Sequence, residues 1–245
     1  MQRFFVMIVL MLTTLCFGDS KMTLNLMPVP KSMSRLVGEY CLQENFTIAV
    51  QGVDDPRIYK AATRALRRLS GRTGLFFPQD FITPDSEQSG DMVISVNRVG
   101  SVMLNEDESY SLNISSDKIS LTAETDIGAL RGLETFLQLL DADAEGYFFP
   151  TVHIEDEPRF PWRGLLIDVA RHWQPVEVIK RNLDGLAAVK MNVLHWHLTE
   201  DQGFRVECKT FPKLHELGSD GFYYTHEQIQ EVIDYAADRG IRVMP

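Results

Sequence analysis

Cysteine is scarce in this sequence: Cys16, Cys41 and Cys208 are the only three in 245 residues. No C-x-x-C pair and no zinc-ligand spacing occurs, which excludes a cysteine-built metal site or a dithiol redox motif. Cys41 and Cys208 could pair after export, but two separate buried thiols are the favoured expectation. Positive charge is short as well. Lys and Arg number 24 against 34 Asp and Glu, for a formal net charge of −10. That balance argues against a nucleic-acid partner, since phosphate binding needs clustered basic residues. It aids solubility without naming a substrate. The chain also lacks an apolar run of about 20 residues, so a membrane-spanning helix is not expected.

What the N-terminus does carry is an export pattern. Arg3 supplies a positive charge, residues 4–15 are apolar apart from Thr13 and Thr14, and Cys16-Phe17-Gly18 puts small residues at positions −3 and −1 of a cut after Gly18. This predicts a signal peptide over residues 1–18. The expected destination is the periplasm, cell envelope or extracellular space, or a lysosome if the host is eukaryotic. Asn45-Phe46-Thr47 and Asn113-Ile114-Ser115 are glycan-acceptor sequons, relevant only in a glycosylating host.

Residues 19–157 read as a small α+β domain. Leu24 to Pro30 is an extended entry segment, and Phe46 to Val50 alternates like a strand. Asp55-Pro56 opens a helix whose apolar stripe is Ile58, Ala62, Ala65, Leu66 and Leu69, ended by Gly71 to Gly74. Arg57, Arg64, Arg67 and Arg68 fall mostly on the opposite, solvated face. Met92 to Val96 is a strand. Tyr110 to Ile114 and Ile119 to Ala123 flank a polar turn, a hairpin signal. A second amphipathic helix follows over residues 127–140, then a strand over Thr151 to Ile154.

From Pro158 the pattern becomes α/β. Gly164 to Asp168, Val193 to Leu198 and Ile241 to Met244 are short apolar strands of the buried parallel kind. Helices over residues 175–189 and from the capping box Thr225-His226-Glu227-Gln228 separate them. No glycine-rich turn follows the first strand, which disfavours an open dinucleotide-binding sheet. Polar residues gather instead at strand C-terminal ends, as in a (β/α)8 barrel. The expected fold is therefore a partial (β/α)8 TIM barrel, residues 158–245 carrying its first three strands, preceded by the α+β accessory domain. A whole barrel needs about 250 residues, so a truncated product is expected, poorly stable alone because of its open edge.

Two clusters could carry chemistry. Arg171-His172-Trp173 offers a planar fork of donors beside an aromatic, suited to sugar hydroxyls or carboxylates. His195-Trp196-His197-Leu198-Thr199-Glu200-Asp201-Gln202 puts both histidines on one strand face, Trp196 on the other and two carboxylates at the mouth. A two-histidine metal site is conceivable; a hydrogen-bonded barrel-interior histidine is favoured.

The stretch Phe160-Pro161-Trp162-Arg163-Gly164-Leu165-Leu166-Ile167-Asp168-Val169-Ala170-Arg171-His172 resembles the opening barrel strand of family 20 glycoside hydrolases, the β-N-acetylhexosaminidases. Residues 190–205 resemble their second strand, and Tyr223-Tyr224-Thr225, Tyr235-Ala236-Ala237 and Arg239 to Pro245 their next helix and strand. The resemblance implies removal of terminal β-linked N-acetylglucosamine or N-acetylgalactosamine from glycans or glycoconjugates. It implies a substrate-assisted mechanism in which the acetamido oxygen attacks the anomeric carbon, an exception to the two-carboxylate scheme. The Asp-Glu pair that orients the acetamido group and supplies the general acid follows the family's fourth strand, so no catalytic residue is expected in this chain and the fragment itself is expected to be inactive. The resemblance makes Arg171 the grip on ring hydroxyls, with Glu200, where the family often has Asp, and Asp201 as substrate-binding candidates. His172, Trp196 and His197 are supporting residues, and no metal or other cofactor is expected. The alternative is a non-catalytic glycan-binding relative.

Overall fold

The computed structural model describes residues 24–77, 81–84, 86 and 89–245. The expected signal peptide lies outside them. The chain runs through β1 (Ser32–Cys41), β2 (Ile48–Gln51), α1 (Pro56–Thr73), β3 (Met92–Arg98), β4 (Tyr110–Ile114), β5 (Ile119–Thr125), α2 (Asp126–Gln138), β6 (Asp141–Ala142) and β7 (Tyr147–Asp156). These form one mixed sheet in the order β1-β7-β4-β5-β3-β2, with β6 on β7. The β4–β5 hairpin is antiparallel as expected, with Tyr110 opposite Ala123 and Ile114 opposite Ile119.

Helix α1 begins where Asp55 accepts a hydrogen bond from the Arg57 amide and Pro56 fills the first turn. It ends where Gly74 adopts φ 73°, a left-handed cap that any Cβ would strain. Helix α2 lies hard against the sheet because two glycines let it. A Cβ on Gly128 would sit 2.3 Å from the Ser109 carbonyl oxygen, and one on Gly132 would sit 2.3 Å from Leu121 Cδ1. The core between helices and sheet is apolar and rich in aromatics, with Phe136 stacked on Phe149 at 4.4 Å. Cys41 and Cys208 are both free, but Cys41 is exposed and Cys208 only half-buried. The expectation of two buried thiols is thus corrected. Cys41 ends the edge strand β1, whose residues are nearly all exposed.

After β7 the chain enters a second sheet. Its elements are β8 (Gly164–Asp168), α3 (Val176–Ala188), β9 (Val193–His197), the small hairpin β10 (Thr199–Glu200) and β11 (Gly203–Phe204), α4 (Lys213–Gly218), α5 (His226–Ala237) and β12 (Arg242–Met244). Strands β12-β9-β8 pair in parallel, as the strand–helix rhythm predicts. The capping box of α5 is formed in both directions between Thr225 and Gln228. Alternation then sorts the faces. Ile167, Leu194, Trp196 and Val243 turn toward α3 and α5 and join a core with Ile179, Leu183, Val232 and Ala236. Asp168 and His197 are register partners, as are Leu166 and His195, on the other face.

One expectation fails here. Strand β8 is parallel but not buried: Leu165 is 39% and Leu166 52% exposed. It is an edge strand of a three-stranded sheet, so one flank is open and both faces are partly exposed.

A buried polar seam joins the two sheets. Glu108 accepts from Arg131 Nε at 2.6 Å, from Asn192 Nδ2 at 3.0 Å and from Arg163 Nη2 at 2.5 Å. Arg131 also donates to the carbonyls of Arg239 and Gly240. Beside it, Lys190 Nζ donates to Tyr110 Oη at 2.7 Å and Asp156 Oδ2 at 2.9 Å. No helix of the described residues is long and apolar enough to cross a membrane.

Candidate functional site

The C-terminal ends of β8 and β9 bring the expected residues together. Strand β8 ends at Asp168. The buried pair Val169 and Ala170 then anchors the turn, and Arg171 emerges half-exposed. Its backbone N–H donates to Asp168 Oδ1 at 3.0 Å and its Nη1 to Oδ2 at 2.6 Å. Arg171 Nη2 lies 3.2 Å from Glu200 Oε1. Glu200 reaches it because β10 and β11 fold back as a hairpin, with Glu200 opposite Gly203.

His197 Nε2 stands 3.3 Å from the same Glu200 oxygen. The ring is turned off the hydrogen-bond line, so this buried nitrogen has no aligned partner among the described residues. His195 lies with its ring centroid 6.0 Å from that of His197. Among the described residues no three His, Cys, Asp or Glu side chains are grouped to hold a metal ion.

The electrostatics follow from these contacts. The Arg171 backbone N–H, and then its guanidinium, hold the Asp168 carboxyl below its ordinary range. The Asp168 hydrogen bond in turn raises the Arg171 pKa, with Glu200 adding to it. The result is a permanently charged donor fork flanked by two carboxylates and open to solvent on its remaining side. Such a fork can bind adjacent hydroxyls with fixed geometry.

Not every candidate joins this corner. Asp201 is exposed at the hairpin turn and makes no hydrogen bond or ion pair among the described residues. His172 is exposed and likewise makes none. Trp196 is buried on the helix side, its ring 4.5 Å from Tyr224, so it sits behind β9.

Two contributors escape a reading by pattern. Asp168 reads as the last polar residue of a strand, yet it orients Arg171. Its spacing of three residues before Arg171 is the available signal. Arg205 is buried and donates to the carbonyls of Val169, Ala170, Ser219 and Phe222, pinning the turn that carries Arg171 to the segment after α4. Gly203 makes room for it, since a Cβ there would lie 2.5 Å from the Arg205 guanidinium and 2.6 Å from the Ala170 oxygen.

Comparison with known proteins is consistent along the chain. The family model for glycosyl hydrolase family 20, catalytic domain, matches residues 160–245, and one described as beta-acetyl hexosaminidase like matches residues 26–139. A beta-hexosaminidase of Vibrio furnissii is 35% identical over 241 residues, covering 91% of this chain and 37% of that protein. The beta-hexosaminidase subunit alpha of Rattus norvegicus is 49% identical over 141 residues, covering 56% of this chain and 27% of that protein. Among solved structures, a chitobiase of Flavobacterium johnsoniae superposes with a TM-score of 0.88 at 52% identity, covering 90% of this chain and 34% of that one. An exo beta-N-acetylglucosaminidase of Vibrio harveyi, in complex with N-acetylglucosamine, superposes at 0.74 and 30% identity, covering 90% of this chain and 35% of that one. The chain spans about a third of the length of these relatives. With both family models matching in order and the Arg171 corner at the ends of adjacent parallel strands, the chain belongs to glycosyl hydrolase family 20.

Proposed function

We propose that this chain provides the sugar-gripping corner and scaffold of an exported β-N-acetylhexosaminidase. The enzyme removes terminal β-linked N-acetylglucosamine or N-acetylgalactosamine from glycans with retention of configuration. The observation that carries this reading is the guanidinium of Arg171, fixed by Asp168 at 2.6 Å and Glu200 at 3.2 Å and half open to solvent. Its free N–H groups suit a pair of neighbouring ring hydroxyls. The N-acetylglucosamine named with the Vibrio harveyi structure supports the kind of sugar.

In this reading the three parallel strands are the opening of a (β/α)8 barrel and the preceding sheet is its accessory domain. Arg171 and Glu200 bind substrate, with Asp201 at the rim of the same mouth. His197 steadies Glu200, and Trp196 supports the strand from behind. The general acid Glu and its Asp partner come from chain following a fourth strand. The acetamido oxygen is the nucleophile, so neither a metal nor a carboxylate nucleophile enters.

The test is turnover of a chromogenic β-N-acetylglucosaminide by the whole polypeptide to which this chain belongs. R171Q is expected to lower kcat/KM by about 10- to 100-fold, the loss of one or two charge-assisted hydrogen bonds. Unchanged kcat/KM in R171Q, or equal cleavage of the glucoside lacking the acetamido group, overturns the reading. Binding of N-acetylglucosamine with no turnover identifies the non-catalytic alternative.

A further inference from the structure

The sequence reading assigns the arginines of α1 to a solvated face. In the structure Arg57 and Arg64 are half-buried, while Arg67 and Arg68 stay exposed at the rim of a cleft. Helices α1 and α2 on one side, and α3 with the turn after α5 on the other, enclose a cleft of about 500 Å3 lined by Arg64, Arg67, Arg68 and Arg239. Leu130, Leu133 and Leu137 give it an apolar wall.

Two of these arginines are answered. Arg68 Nη1 donates to both oxygens of Glu134, at 2.6 and 2.7 Å. Arg239 Nε donates to Asp184 at 2.6 Å, and its guanidinium lies 3.4 Å over the Tyr235 ring. Arg64 is different. Its Nη2 donates only to the carbonyl oxygen of Asp238 at 2.8 Å, while that residue's carboxylate is engaged by Lys60 Nζ at 2.9 and 3.1 Å. Arg67 lies 4.5 Å over the Phe81 ring. Among the described residues, neither Arg64 nor Arg67 has a carboxylate within ion-pair distance. Burial, then the neighbouring charge of Arg239, lowers the Arg64 pKa and outweighs the opposing pull of Asp238, Glu134 and Asp184. Four arginines face two carboxylates, Glu134 and Asp184. The fifth arginine of the wall, Arg131, is matched by Glu108. This positive excess stands in a chain of net charge −10.

We propose that this cleft is a binding site for a tetrahedral oxyanion, a phosphate or sulfate group, gripped by Arg64 and Arg67 with Arg239 behind them. Two guanidinium forks lining one cleft offer several N–H donors, which suit a group with three free oxygens better than a single carboxylate. The volume and the leucine wall leave room for an organic moiety bearing that group. The cleft lies among helices, apart from the strand ends that carry Arg171, so this proposal stands or falls independently of the glycosidase reading.

Isothermal titration of the whole polypeptide to which this chain belongs with inorganic phosphate, sulfate and phenyl phosphate, at ionic strength held constant with sodium chloride, tests it. Saturable binding is expected, about tenfold or more weaker in R64Q. It should be unchanged in K118Q, which removes the same charge from the exposed tip of the β4–β5 hairpin. Tighter binding of phenyl phosphate supports a site for an organic ester, and equal binding supports a site for the free ion. No saturable binding, wild-type affinity in R64Q, or equal weakening in K118Q overturns the proposal. If R64Q does not fold, R67Q carries the same comparison.

Discussion

At the scale of single residues, Arg171 and Asp168 form a closed exchange: each raises the preference of the other for its charged form. Asp168 has a depressed folded-state pKa. The stability it contributes is therefore present above the unfolded value of about 3.9 and is lost as pH falls through the lower folded value. R171Q is expected to move the Asp168 titration, followed by carboxyl NMR, up toward the ordinary range. The thermal midpoint of R171Q should fall below wild type at neutral pH and converge with it in strong acid. An Asp168 titration that does not move on replacing Arg171 removes this account of the corner. The sequence made Arg171 and Glu200 legible, because charged residues just past two parallel strands have few places to go except the mouth. It could not separate Glu200 from its neighbour Asp201, since only the hairpin geometry decides which carboxylate reaches Arg171 at 3.2 Å. Arg205 was illegible for the same reason: its acceptors are backbone carbonyls, which leave no trace in composition.

At the scale of elements, period and capping carried most of the reading. Asp55-Pro56, Gly74 and the Thr225 box mark helix ends because each satisfies backbone groups that a helix leaves open. Strand β1 was not foreseen as a strand. Nearly all of its residues are exposed and its register slips between Arg35 and Glu39, so no alternation survives. Helix α4 was missed because six residues are too few to show a period. The glycines of the helices separate packing from propensity. G128A forces a Cβ to within 2.3 Å of a backbone oxygen and should cost about 1–3 kcal/mol in urea unfolding. G71A, in α1, meets nothing within 4 Å and should gain about 0.5–1 kcal/mol from helix propensity. The same substitution with the same sign at both sites would show that α2 does not approach the sheet as described.

At the scale of the whole molecule, one carboxylate ties the two sheets together. Glu108 precedes β4 in the mixed sheet. Its partners Arg163 and Asn192 stand immediately before β8 and β9, and Arg131 carries the contact to the carbonyls of Arg239 and Gly240, just ahead of β12. All three parallel strands are thus fixed at their N-terminal ends by a group from the other sheet, while the Arg171 corner sits at the opposite ends. Burial pushes the Glu108 carboxyl up, but Arg131 and Arg163 outweigh it and hold it below the ordinary carboxylate value. Its contribution is therefore present above about pH 4.3, the unfolded value, and fades as pH falls through the lower folded one. Removing it strands the buried Arg131 charge, and E108A should cost about 3–5 kcal/mol. That loss should be uneven. The three-stranded sheet has open edges and a smaller core, so amides of residues 164–168, 193–197 and 242–244 should exchange with deuterium much faster in E108A. Amides of β3 and β5, inside the larger core, should keep most of their protection. Equal loss across both sheets would make Glu108 a general stabiliser. Loss confined to the parallel strands would make the mixed sheet the template on which they are held.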